Sequence, residues 1–138
     1  MMFVDMSEKL ISLLLNNVTD PKSRGNSAWI SRQRSKKLVE DIGLPLIVVL
    51  NVSTREIEAG IGQVLGGTKS KFIIFLFQIE IWGESLESVD TLANEVYEAI
   101  WNNRGSISED VVMTDARDAM FGDVIGKILT FQFLYIKT

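Results

Sequence analysis

The chain predicts an α+β domain, with an antiparallel or mixed sheet of about four to five strands and two main helices packed on one face. Three observations carry that expectation. Apolar residues recur at helical spacing in two windows, 10–18 and 86–101. Period-two alternation or β-branched runs fill 46–52, 57–61, 71–82 and 128–136. Strands also follow one another between and after the helices, which suits a meander rather than a parallel sheet. A length of 138 residues fits one domain spanning 1–138.

Leu10, Ile11, Leu14, Leu15 and Val18 share one face of a first helix, widened by Leu13, that ends before Pro21. From 20 to 42 the character changes. Lys22, Arg24, Arg32, Arg34, Lys36 and Lys37 crowd one window, broken by Ser, Asn and Gly, with Trp29 and Ile30 in its middle. This predicts a long, exposed basic arm with a short helical turn over Ser35 to Ile42. Gly43-Leu44-Pro45 ends the arm and leads into a buried strand, Leu46 to Val52.

Ser53-Thr54-Arg55 reads as a turn. Beyond it Ile57, Ala59 and Ile61 alternate with Glu56, Glu58 and Gly60, which predicts a half-buried strand. Gly66 to Ser70 suits a hairpin connection. Lys71 to Trp82 is the strongest strand pattern, with Phe75, Phe77, Ile79 and Ile81 on one side and Gln78 and Glu80 on the other. Gly83 breaks it, Ser85 supplies an N-cap oxygen, and Glu87 and Asp90 complement the helix N-terminus.

The second helix carries Leu86, Val89, Leu92, Ala93, Val96, Tyr97, Ile100 and Trp101 on one core stripe, and Gly105 suits a left-handed cap. Val111 to Met113 reads as a brief strand, and Ala116 to Gly126 as a loop. Ile128 to Ile136 closes the chain as an aromatic-rich strand.

Composition narrows the function. Apolar residues make up 46% and charged residues 23%, as in soluble globular chains. The net charge of −4 argues against a protein that coats nucleic acid, since that binding is driven by Lys and Arg. No signal peptide is read at 1–18, where Asp5, Glu8 and Lys9 interrupt the apolar residues, and no run reaches the roughly 20 residues that span a bilayer.

With no His and no Cys, the commonest general base and thiolate or imidazole metal sites are missing, so no enzyme activity, cofactor or metal is expected. Asp115 with Asp118 is the nearest carboxylate pair, in a spacing common in solvated loops. Gly62 to Ser70 is not a phosphate-binding loop, because Thr68 separates Lys69 from Gly67 and a strand pattern follows.

The basic arm is the one charge anomaly. It fits a solvated connection, an arm that docks on an acidic neighbour, or a nucleic-acid contact. Docking assigns Trp29, Ile30, Arg32, Arg34, Lys36 and Lys37 to an interface, with Trp29 as apolar anchor.

The stretch Phe77-Gln78-Ile79-Glu80-Ile81-Trp82, followed by Glu84-Ser85-Leu86-Glu87-Ser88-Val89 and a helix through Ala99-Ile100, resembles the middle of tail-terminator and tail-completion proteins of long-tailed phages and their archaeal relatives. The Gly43-Leu44-Pro45 lead and the closing strand Leu129 to Tyr135 are similar too. The resemblance spans most of Leu44 to Ile136 and rests on pattern, with no catalytic motif to carry over.

It implies a virion protein, assembled in the host cytoplasm, that forms a ring, usually of six copies, at the head-proximal end of the tail tube. Such a ring stops tube growth and joins tail to head. The implied partners are further copies, the tail-tube protein and a neck or head-completion protein, with no membrane. Genomic DNA passes through without specific binding, and Glu56, Glu58, Asp115 and Asp118 are the candidates to line that passage. A neck or head-completion component is the alternative, and a small ligand-binding α+β domain is the reading from another class.

Overall fold

The structure, a computed structural model, describes residues 2–25, 27–32, 36–57 and 71–137. Helix α1 spans Met2–Asn17: it carries the expected face of Leu10, Ile11, Leu14 and Leu15, starts well before it, and ends one residue before Val18. Residues Ser27–Trp29 form a 3-10 turn leading into a two-residue strand β1, Ile30–Ser31, and helix α2 covers Lys36–Ile42. Strand β2 runs Leu46–Ile57 and β3 runs Lys71–Gly83. Helix α3 spans Leu86–Asn102, followed by the short α4, Arg104–Ile107, and the hairpin of β4, Asp110–Phe121, with β5, Val124–Lys137.

The five strands lie in the order β1-β2-β3-β5-β4, antiparallel except for the parallel pair of β1 with β2. The expected α+β class is the observed one. Strand β3 is central, and its alternate residues Ile73, Phe75, Phe77, Ile79 and Ile81 are buried. Phe131 and Phe133 of β5 stand opposite Phe77 and Phe75, and Phe77 meets Phe133 edge-on with centroids 5.6 Å apart. Helix α3 covers this face with Val89, Leu92, Val96 and Ile100, while α1 packs beside it against β2.

Helix α3 starts where its cap residue stands. Ser85 Oγ accepts the N–H of Ser88 at 3.2 Å, satisfying a donor that the first turn leaves open. The entry is tight because a Cβ at Gly83 would lie 2.8 Å from Val89 Cγ2. The far end differs from expectation. Asn103 rather than Gly105 ends α3, and Gly105 lies inside α4.

Further expectations are corrected. Ser53-Thr54-Arg55 is no turn: β2 continues through it, with a register irregularity between Asn51 and Ser53, and Ser53, Thr54 and Arg55 pair with Leu76, Phe75 and Ile74. The polar residues suggested a turn, but a long apolar partner strand recruits them into the ladder. The separate strand expected at 57–61 keeps only Ile57 among the described residues, as the end of β2, and the hairpin expected at Gly66 to Ser70 lies outside them.

Ala116 to Phe121 is strand rather than loop, because β5 pairs with it out to Phe121↔Val124, where Gly122 turns the chain at φ 62°. Lastly, the segment 20–42 is not an extended arm. It holds a 3-10 turn, β1 and α2, and Trp29 and Ile30 are 4% and 3% exposed within this chain's own core.

Candidate assembly surface

Arg24 explains why the basic segment is built rather than loose. Its guanidinium donates to Asp20 Oδ2 from Nε at 2.9 Å and to Asp20 Oδ1 from Nη2 at 3.1 Å. It also donates to the carbonyls of Gly43 at 2.8 Å, Ile42 at 3.2 Å and Pro45 at 2.7 Å. One side chain therefore ties the start of the segment to its end and spends its donors inside the fold. The guanidinium also sits 5.6 Å from the centroid of the Trp29 ring.

Asp20 answers in kind. Burial by itself pushes its carboxyl up, but the Arg24 side chain and the backbone N–H groups of Lys22 and Arg24 outweigh that and hold it below the ordinary aspartate value.

The six residues assigned to an interface thus divide. Trp29 and Ile30 are core residues and cannot anchor a neighbour while this fold persists. Arg32 is exposed at the end of β1, Lys36 and Lys37 open α2, and Arg34 lies outside the described residues. Lys22 pairs with Glu84 at 3.0 Å on the surface, an exposed contact of about 0–1 kcal/mol.

Of the four carboxylates assigned to a lumen, the three among the described residues are not brought together. Glu56 is exposed on β2 beside Ile73, at one end of the sheet, and Glu58 lies outside the described residues. Asp118 stands opposite Lys127 on β4, three strands across and at the other end, and Asp115 is its neighbour there. Three strand spacings alone separate the two groups by roughly 14 Å.

Lys127 lies between two carboxylates, 2.7 Å from Asp90 of α3 and 3.4 Å from Asp118. The bond with Asp90 raises its affinity for the proton above the ordinary lysine value, against an opposing effect of burial, and Asp118 adds to it. The arrangement neutralises charge instead of exposing a reactive group. Among the described residues no cluster of His, Cys, Asp or Glu could hold a metal ion, and no helix is long and apolar enough to cross a membrane.

The surface that sequence reasoning missed is strand β4. It lies at the end of the sheet, pairs on one side with β5, and is exposed along most of its length. Met120 and Phe121 at its tip are 74% and 59% exposed, although Phe121 meets Trp82 edge-on with centroids 6.5 Å apart.

Along its inner flank runs a groove against α3. One stretch of about 400 Å³ is lined by Tyr97, Trp101, Val111 and Met113, and a second of about 420 Å³ shares Tyr97 and Met113 with it. Trp101, expected in the core, is 43% exposed here because it falls at the margin of the buried stripe, where the Arg104 guanidinium covers its ring at 4.0 Å. The exposed Val112 and Met113 fell in the brief strand expected at 111–113, while Met120 and Phe121 were hidden by reading 116–126 as a loop.

A scan against protein-family models finds no family that matches this chain, and a search of curated proteins finds no match.

Proposed function

We propose that this protein is a structural component of a phage-type tail, a terminator that assembles with copies of itself into a ring at the head-proximal end of the tail tube. There it stops tube growth and joins the tail to the head. The observation that carries this reading is the strand-to-helix unit: Gln78 to Trp82 lead to the end of β3 at Gly83, Gly83 leaves room for Val89, and Ser85 caps α3. That is the stretch on which the resemblance to tail-terminator proteins rests. An open sheet edge flanked by the exposed Trp101 and Met113 and the half-buried Tyr97 supports self-association, since long uncovered edges are otherwise a liability.

The test is the mass of the full chain by light scattering, alone and with tail-tube protein. A stable multiple near six copies, or a monomer that assembles on tail-tube protein, is the expected result. A chain that stays monomeric in both conditions up to high concentration overturns the reading.

A further inference from the structure

The sheet has two ends of opposite charge. Residues 22–37, which include β1 and the start of α2, carry six Lys or Arg and no carboxylate: Lys22 and Arg24 are paired within the chain, Arg34 lies outside the described residues, and Arg32 after β1 with Lys36 and Lys37 at the start of α2 are the rest; β1 is one terminal strand of the sheet. Residues 109–118, which include most of β4, carry Glu109, Asp110, Asp115 and Asp118 against the single Arg117, and β4 is the other terminal strand. The acidic end also holds the apolar groove beside Tyr97, Trp101 and Met113 and a strand edge with no further strand beside it among the described residues.

We infer that β4 and its groove are the docking edge for a second copy of this chain, which approaches with its basic β1 end. The inference rests on the ring reading and deepens it by naming the two surfaces that meet. Charge chooses the geometry. Two β4 edges brought face to face would oppose carboxylate to carboxylate, and two β1 ends would oppose cation to cation, so both two-fold arrangements are disfavoured. A head-to-tail contact pairs acid with base at every junction. It is heterologous, and heterologous contacts close into rings when the rotation between copies allows. Backbone pairing and the groove hold the contact, while the charges set partner and direction. Asp115 then belongs to a junction between copies and not to a central passage.

The test is a pair of charge reversals in the full chain, measured by light scattering under the condition in which the parent assembles. The first is Asp110→Lys with Asp115→Lys. Asp118 is left alone because it shares Lys127 with Asp90. The second is Arg32→Glu with Lys36→Glu and Lys37→Glu. Arg24 and Lys22 are left alone because they bind within the chain.

Each variant by itself should fall to the monomer mass at a concentration where the parent is assembled, an affinity loss of at least about tenfold. Mixed in equal amounts, the two should recover the assembled mass, since every junction then pairs acid with base again. Thermal unfolding of each variant, matched to the parent, establishes that both are folded. If either variant assembles like the parent, or if the two folded variants fail to assemble when mixed, the docking edge is wrong while the ring reading stands. If the parent never assembles, alone or with tail-tube protein, the ring reading falls and the docking edge with it.

Discussion

Trp82 lies flat against Gly126, its partner across the β3–β5 pair, so closely that a Cβ at position 126 would sit 2.4 Å from Cε3 of the indole. The same indole donates from Nε1 to Oε1 of Glu80 at 3.0 Å, and Glu80 is fully buried. Gly126→Ala would stiffen the unfolded chain, an effect of about 0.5–1 kcal/mol in favour of folding. The displaced ring opposes it with about 1–3 kcal/mol of overpacking and a weakened bond to a buried carboxylate. The steric effect wins, because a fused ring cannot bend away. Urea denaturation should show a net loss of roughly 1–2 kcal/mol with altered Trp fluorescence. A stability equal to or above the parent's would refute this account of the pair.

Ile79 and Val96 are both 0% exposed, the first on β3 and the second on α3, within the same core. Truncating either to Ala should cost on the order of 2–4 kcal/mol in chemical denaturation, the sum of lost transfer energy and an unfilled cavity. A loss below about half a kcal/mol would place that side chain outside the core.

Trp29 distinguishes a core residue from an assembly anchor. An exposed anchor would leave the monomer's unfolding unchanged when replaced, whereas the buried ring over which Arg24 sits should not. Trp29→Ala is expected to cost about 3–5 kcal/mol of monomer stability, while Arg32→Glu, at an exposed position, should change it by less than about 0.5 kcal/mol. Equal melting temperatures for the parent and Trp29→Ala would contradict the burial.

Asp20 makes stability depend on pH. Its folded affinity for the proton is lower than in the unfolded chain, so the unfolded state takes up the proton first as acid is added. The stabilisation is therefore fully present above the ordinary aspartate value of 3.8 and is lost as pH falls through the folded one. Asp20→Asn should destabilise the protein more at pH 7 than at about pH 3, as read from urea midpoints at the two values. A destabilisation of the same size at both would show that the Arg24 contact contributes nothing through charge.

Local pattern alone determined the class and the centre of this fold. The alternation of Phe75, Phe77, Ile79 and Ile81, the helical stripe from Val89 to Ile100, and the Ser85 cap are each legible because a strand or helix with one apolar face has few ways to bury it. What tertiary structure alone decided are the places where a partner overrides local preference. Ser53 to Arg55 and Ala116 to Phe121 look like turn and loop, yet β3 and β5 supply ladders long enough to hold them as strand. The basic segment looks like a free arm, yet Arg24 reaches the carbonyls of residues 42, 43 and 45 and closes it onto the core, which buries Trp29. Charge and hydropathy are properties of residues, whereas exposure belongs to the packed chain. That is why the basic window could be read from composition, and its place at the opposite end of the sheet from the acidic β4 could not.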